Sequence, residues 1–268
     1  MKGTPSDSIL LRECQDNIEI VTLNNPAKLN ALSNLMLLKL QNCFDEISLK
    51  KEIKTVIIRG NGKAFCAGHD LKEMMASKSD TDGGKVAMVD LFNRCSKMMQ
   101  TIQMMPQPVI AQVNGLATAA GCQLVATCDM AVASEGSQFG VNGVNIGLFC
   151  STPMVALTRN ISKKHAFEML TTGEFISALR AKELGLINRI SNENELSAET
   201  LKLAKTVSQK LSAAVKIGKK AFYKQMEMPL EEAYKYTGEV MAENMGLSDT
   251  QEGINAFLEK RPPNWFNK

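Results

Sequence analysis

Two short segments hold the residue types from which a reaction site could be built. They are Ala64-Phe65-Cys66-Ala67-Gly68-His69-Asp70-Leu71-Lys72 and Asn114-Gly115-Leu116-Ala117-Thr118-Ala119-Ala120-Gly121-Cys122-Gln123-Leu124. Small residues let a ligand come close to backbone N–H groups. In the second segment they lead from an apolar strand into a helix start, where unpaired N–H groups and the positive end of the helix dipole collect. The chemistry such a place supports is stabilisation of negative charge on a bound oxygen; the same small residues also serve tight packing alone. Titratable groups nearby are few. The His69 imidazole could titrate near neutrality, or turn away and set the shape of its loop. Asp70 and Glu73 read as solvated or capping, and Asp129 as structural. Cys150 is a thiol with no evident base. Asn142 and Asn145 can hydrogen-bond a substrate but cannot do proton chemistry.

The elements that must position these residues alternate between strand and helix. Residues 8–13 and 17–24 read as strands joined by a turn at Gln15-Asp16-Asn17, and Ile18, Ile20 and Thr22 alternate with Glu19, Val21 and Leu23. Residues 31–47 show a helical pattern opening after Asn30 as a cap. Strands follow at 54–59, 108–113 and 129–133, with helices at 86–105 and 119–126, and a polar stretch from Ser77 to Lys85 reads as a mobile loop. Such alternation specifies an α/β fold. Beyond residue 195 the pattern is helical almost throughout. The expected division is therefore a body over 1–195 and a helical region over 196–268, packing on the body or on a neighbouring subunit. Met98, Met99, Met104 and Met105 read as soft core or as an adaptable pocket wall. Lys216, Lys219, Lys220 and Lys224 share one helix face, which reads as a solvated surface.

The chain of 268 residues is 44% hydrophobic and 22% charged, with a net charge of +3. That describes an ordinary globular protein, and the charge is too mild to argue for nucleic acid. No apolar run is long enough to span a membrane. Seven cysteines without a CxxC pair, and only two histidines, argue against a metal site; none is expected. The cysteines read as reduced core thiols. The segment Met1-Lys2-Gly3-Thr4-Pro5-Ser6 lacks the apolar run of a secretory signal.

Taken with Asn25-Pro26-Ala27-Lys28-Leu29-Asn30-Ala31-Leu32, Cys128-Asp129-Met130-Ala131-Val132-Ala133, Ser137-Gln138-Phe139-Gly140 and the ending Glu252-Gly253-Ile254-Asn255-Ala256-Phe257-Leu258-Glu259-Lys260-Arg261, the two segments resemble the crotonase superfamily, the enoyl-CoA hydratase/isomerase family. The likeness runs from about residue 10 to 265, in the family's order. It implies a spiral of ββα turns with a C-terminal helical region that builds a homotrimer or a dimer of trimers. It implies acyl-CoA thioesters as substrates, with coenzyme A arriving as part of the substrate and no covalently bound cofactor. Carried over, the oxyanion-hole donors are the backbone N–H groups of His69 and Ala120. Lys28 and Leu29 match positions along the pantetheine and phosphates, Lys63, Ala64 and Ala67 the adenine side, and Phe257 and Lys260 a pair that reaches a neighbouring subunit's CoA. No nucleic acid is expected. The implied compartment is the cytoplasm for a bacterial protein and the mitochondrial matrix for a eukaryotic one.

The pattern departs from the hydratases where it matters most. Their two glutamates fall, by the resemblance, at Gln123 and Gly143. An amide can hold a water but is no base near neutral pH, and a positioned acid or base contributes typically about 10²–10⁴-fold. The expectation is an acyl-CoA-binding protein with weak or absent standard hydratase action. The alternatives are a non-catalytic acyl-CoA binder or regulator of fatty-acid metabolism and, trailing these, RNA binding through the lysine face.

Overall fold

The computed structural model describes residues 8–76, 78 and 80–265. The N-terminal hexapeptide, and Ser77 and Ser79 of the expected loop, lie outside the described residues. Two sheets organise the chain. One has six strands in the order β1 (Leu10–Gln15), β2 (Ile18–Leu23), β3 (Thr55–Gly60), β5 (Val109–Val113), β7 (Met130–Ser134), β10 (Arg189–Ser191). The other has four, in the order β4 (Ala64–Cys66), β6 (Leu116–Thr118), β8 (Gln138–Gly140), β9 (Ile176–Ser177). Three times the chain lays one strand in the first sheet, the next in the second, and then turns into helix. The first turn ends in α2 (Leu71–Ala76) and α3 (Lys85–Met104), the second in α4 (Ala120–Thr127), the third in α5 (Pro153–Leu157) and α6 (Lys163–Thr172). Repeated in one direction, this makes a spiral of ββα turns whose neighbouring strands are parallel.

The first hairpin is tighter than its sequence suggests. Asp16 takes a left-handed conformation (φ 56°), so a two-residue turn suffices and Gln15 already pairs with Ile18. β1 thus runs two residues later than expected. Helix α1 (Asn34–Leu49) also starts later, because its N-cap is Ser33, whose hydroxyl accepts from Met36 N at 3.2 Å. Asn30 is a buried latch instead. Its amide donates to Asn61 O at 2.9 Å and Ala64 O at 2.8 Å, and its oxygen accepts from Asn25 N. The remaining strands and helices begin and end within a residue or two of expectation.

Between the sheets and helices α1, α3 and α4 lies the main core, in which Phe44, Phe65 and Phe139 are fully buried. A second core lies on the outer face of the six-stranded sheet. There Ile18, Ile20, Ile57, Ile110 and Val132 meet Leu196, Leu203 and Ala204 of α8 (Leu196–Ser208). The first helix after residue 195 is therefore part of the packing of the body. It covers the face of β2 that carries Ile18 and Ile20, while Val21 and Leu23 face the main core; Glu19, on that second face, is buried with its carboxylate met by Arg12 Nε at 2.7 Å. Helices α9 (Ser212–Gln225), α10 (Leu230–Met245) and α11 (Ser248–Leu258) follow, α9 and α11 each packing on α10; α7 (Ala178–Leu184) leads into β10.

The lysine face on α9 is not uniform. Lys216, Lys220 and Lys224 are exposed, but Lys219 is 9% exposed. Its ammonium donates to Ile102 O at 2.7 Å, Gln107 O at 2.8 Å and Asp129 Oδ2 at 2.7 Å. The same carboxylate accepts from Val109 N at 2.6 Å and from Tyr223 OH at 2.8 Å. Among the described residues, no helix is long and apolar enough to cross a membrane. All seven cysteines are free, six of them buried and Cys14 exposed.

Candidate functional site

Strand β4 runs parallel to β6, which sets the two small-residue segments side by side. Gly68, directly after β4, has φ +87°, and a Cβ there would lie 2.9 Å from Ala119 Cβ and 3.2 Å from Ala120 N. Only glycine allows both that conformation and that approach. Leu32 and His69 form a parallel bridge in which Leu32 N donates to Gly68 O at 2.7 Å. In such a bridge the His69 N–H faces away from Leu32. Ala120 opens α4, where an N–H has no acceptor within its helix. Among the described residues, neither N–H has a backbone or side-chain acceptor. The loop therefore brings two free donors to adjacent strand ends, one of them at a helix N-terminus.

Ala119 makes this geometry at a cost. Its φ of 50° and ψ of −121° lie where side-chain-bearing residues rarely sit, at about 1–3 kcal/mol. In that conformation its N–H reaches Gly140 O at 2.9 Å, and its carbonyl accepts the first bond of α4, from Gln123 N at 3.0 Å. Ala119→Gly should relieve the strain, less the greater chain entropy of glycine when unfolded, and raise the melting temperature by a few degrees. A lower melting temperature would mean that the methyl packed over Gly68 outweighs the strain.

The His69 side chain does not point to acid–base work. Its Nδ1 lies 3.3 Å from Leu32 O, and its ring meets Phe92 edge-on at 5.6 Å. Nε2 is buried without a partner, and burial pushes the imidazole below its ordinary pKa. A neutral ring held between α1 and α3 shapes the loop. Asp70 and Glu73 are caps. Asp70 Oδ1 accepts from Lys72 N at 3.0 Å at the start of α2, and Glu73 accepts from Asn34 N at 2.7 Å at the start of α1.

The residues carried over for CoA divide into two groups. The turn Pro26–Lys28 and the left-handed Leu29 (φ 50°) lie against the second half of the first segment, where Ala67 N donates to Leu29 O at 3.0 Å. Lys28 Nζ meets Asp70 Oδ2 at 2.8 Å, and this bond raises the pKa of the lysine and lowers that of the carboxylate. Lys28, Leu29 and Ala67 thus meet at the segment around His69, with Lys63 exposed on the turn before β4; Ala64 is buried at the start of β4, its carbonyl accepting from Asn30. Phe257 and Lys260 do not join them. They lie at the exposed end of α11, which packs on α10.

Gln123 lies one helical turn beyond Ala120, on the same face of α4. It is 5% exposed, and its Oε1 is buried without a partner. It closes one side of a cleft of about 660 Å³ between α3 and α9, walled by Met99, Gln103, Val155, Arg159, Lys220 and Tyr223. Two of the methionines, Met99 and Met104, do line this cleft, while Met98 and Met105 are buried core. Gly143 sits in the short helical turn Asn142–Ile146, and its N–H donates to Cys150 Sγ at 3.4 Å. A Cβ on Gly143 would come within 2.4 Å of Leu148 O and 2.9 Å of Cys150 Sγ. The Cys150 thiol is pushed up by burial and has no base in contact, so it is inert. Asn142 accepts a 2.6 Å hydrogen bond from Thr118, and Asn145 donates to Gly173 O, so both brace the loop. Sequence reasoning missed the Asn30 latch and the Lys219–Asp129–Tyr223 cluster. Neither carries a local signal, since each becomes visible only through partners far along the chain.

An α/β spiral with free N–H donors just beyond the ends of β4 and β6 defines a class of protein, and comparison places the chain in it. Residues 13–268 match the family model described as enoyl-CoA hydratase/isomerase. The chain belongs to that family, the crotonase superfamily. It is 46% identical over 251 residues to the mouse protein named enoyl-CoA hydratase domain-containing protein 3, mitochondrial, covering 94% of this chain and 82% of that one. The solved structure of the human protein of the same name aligns with a TM-score of 0.91 at 45% identity, covering 96% of this chain and all (100%) of that one. A solved enoyl-CoA hydratase of Mycobacterium smegmatis aligns with a TM-score of 0.93 at 47% identity, covering 97% and 99%.

Proposed function

We propose that the protein binds acyl-CoA thioesters and holds the thioester carbonyl between the N–H groups of His69 and Ala120, stabilising an enolate-like oxygen without the carboxylate pair of the hydratases. The observation that carries this reading is the pair of unpartnered backbone donors at the β4 and α4 ends, held together by Gly68. At the positions where hydratases carry glutamates stand Gln123 and Gly143. The unpartnered amide beside the cleft favours slow hydration, and it equally suits a non-catalytic acyl-CoA binder; Glu227 is the carboxylate among the residues lining that cleft. Crotonyl-CoA hydration by the unmodified protein should fall well below about 10 per second, a typical enzyme turnover. Gln123→Glu should raise it by about 10²-fold, since it places an acid where the amide now lies. Gly143→Glu should add little, because its side chain would press on Leu148 O and displace the turn. Fast hydration by the unmodified protein would mean that another residue supplies the base. A panel of acyl-CoAs read by mass spectrometry separates the two readings: turnover of any member identifies an enzyme, and binding without turnover identifies a binder.

The assembly proposed with this reading is a homotrimer or a dimer of trimers. Its support is the apolar surface left open on α9–α11, where Phe222, Leu230, Tyr234, Met241, Phe257 and Leu258 are all exposed. Light scattering should report a trimer or hexamer, and a monodisperse monomer would remove the proposal. The compartment proposed is the mitochondrial matrix for a eukaryotic source and the cytoplasm for a bacterial one.

A further inference from the structure

We infer that the protein carries a second ligand site, for a small molecule bearing several phosphate groups, at the end of the six-stranded sheet opposite the acyl-CoA site. Strands β2, β3, β5 and β7 are parallel, and the His69 and Ala120 segments follow their C-terminal ends. At the other end, just before β3 and β5 and at the junction of α8 and α9, lies a cleft of about 520 Å³. That is within the range of small-molecule sites, roughly 300–1,000 Å³.

The charge of this cleft is one-sided. Lys50, Lys51, Lys54, Lys210 and Lys216 line it, and no aspartate or glutamate does. Among the described residues none of the five has an ion-pair partner, although Lys50 and Lys54 are half-buried. Ammonium groups converging on one concavity without acids repel one another, and a multiply charged anion relieves that repulsion. The 14-residue helix α9 also opens here, with no side-chain cap. Its first-turn N–H groups at Ser212, Ala213 and Ala214 have no acceptor among the described residues, and they add the positive end of the helix dipole.

Two polar side chains are left unsatisfied at the same place. Ser212 Oγ is buried without a partner and can donate to a phosphate oxygen. Gln107 is 5% exposed, and its Nε2 is spent on Ile47 O at 2.9 Å and Lys50 O at 3.0 Å. Its Oε1 is buried without a partner, so it is free to accept from a ligand hydroxyl or amine. Buried polar atoms are nearly always paired, and both of these belong to residues that line the cationic cleft. The lysines are not needed to neutralise the end of α1, because Ile47 O is already met by Lys50 N and Gln107 Nε2. The chemistry defined is polyphosphate, free or as the ester of a hydroxyl-bearing molecule such as a nucleotide.

The test is calorimetric titration of the full chain with inorganic triphosphate, and separately with ATP, with the cleft lysine variant titrated in parallel so that binding there is told from binding at the acyl-CoA site. Triphosphate should bind, and its affinity should fall steeply between about 0.05 and 0.5 M salt. Tighter binding of ATP would assign the occupant as a nucleotide using Gln107, and equal binding would assign it as the free polyphosphate. Lys54→Gln with Lys216→Gln should weaken triphosphate binding by about tenfold or more. Ser212→Ala should weaken it severalfold, and both variants should keep the affinity for CoA. No heat at millimolar triphosphate, or an unchanged affinity in the lysine variant with its melting curve intact, overturns the proposal.

Discussion

Lys219→Met should destabilise the protein by about 3–5 kcal/mol, the range for breaking a buried ion pair from one side. The ammonium spends all three protons, on Ile102 O, Gln107 O and Asp129 Oδ2. Burial lowers the lysine's pKa and the nearby carboxylate opposes that shift, so the charge persists only because its partners are fixed. Ile102 is in the last turn of α3, where the negative end of the helix dipole favours a cation. Methionine fills the space and satisfies nothing. It strands two carbonyls and leaves the Asp129 carboxylate with only Val109 N and Tyr223 OH. At roughly 2–4 °C per kcal/mol, the melting temperature should fall by about 10 °C. Asp129→Leu in the same chain should recover part of the loss, because removing both charges is less costly than removing one. An unchanged melting temperature in Lys219→Met would show that water can replace the ammonium and that the cluster does not hold α9 to the body. If it does hold α9, the variant should also loosen the cleft wall that carries Tyr223.

The second large effect is expected at Ala120. Proline there removes one N–H from the proposed oxyanion pair, and a single such donor is worth about 10²–10³ in rate. Ala120 is the first residue of α4, where the missing N–H has no helical acceptor, but a proline there disfavours the conformation of Ala119 before it, so the melting curve is part of the experiment. Whatever acyl-CoA turnover the protein shows should therefore drop by two to three orders of magnitude, while affinity for CoA without an acyl group stays the same. A melting curve matching the unmodified protein establishes that the loss is chemical rather than structural. Turnover unaffected in a folded variant would place the thioester carbonyl elsewhere. Ala120→Gly is the companion change. It keeps the donor and should keep the activity, since the group at work is main chain.

Much of the candidate site is legible in the order of residues alone. The runs Ala64–Lys72 and Asn114–Leu124 are dense in small residues at strand ends, a local signal that needs no knowledge of partners. The cap at Asp70 is legible as a possibility for the same reason, because a short polar side chain at a helix start has few other uses, whereas Glu73 caps α1 from 39 residues away and carries no local signal of it. Direction is not legible in this way. The sequence allows the His69 imidazole to face a substrate, whereas the fold turns it onto Leu32 and Phe92 and leaves only its N–H for the site. By the resemblance, Gly143 is read from the sequence as standing where hydratases carry a glutamate. Only the fold shows that Leu148 O and Cys150 Sγ occupy the space a side chain there would need.

By itself, then, the sequence determined the alternation of strands and helices, the places where small residues open the backbone, and the family to which the chain belongs. The first two are properties of short windows, set by side-chain period, turn chemistry and residue size, and the family is read from the resemblance of motifs along nearly the whole chain. Tertiary structure decided everything that depends on what covers what. β2 reads as an alternating strand with one wet face, yet both its faces are buried: Val21 and Leu23 enter the main core, and α8, more than 170 residues further along the chain, lies over Ile18 and Ile20. Lys219 reads like Lys216, Lys220 and Lys224, yet it alone meets Asp129 and two carbonyls. Asn30 reads as a cap and is a latch between two loops. In each case the residue's role is set by partners that sequence distance hides, because burial and pairing are settled only when separate elements pack together.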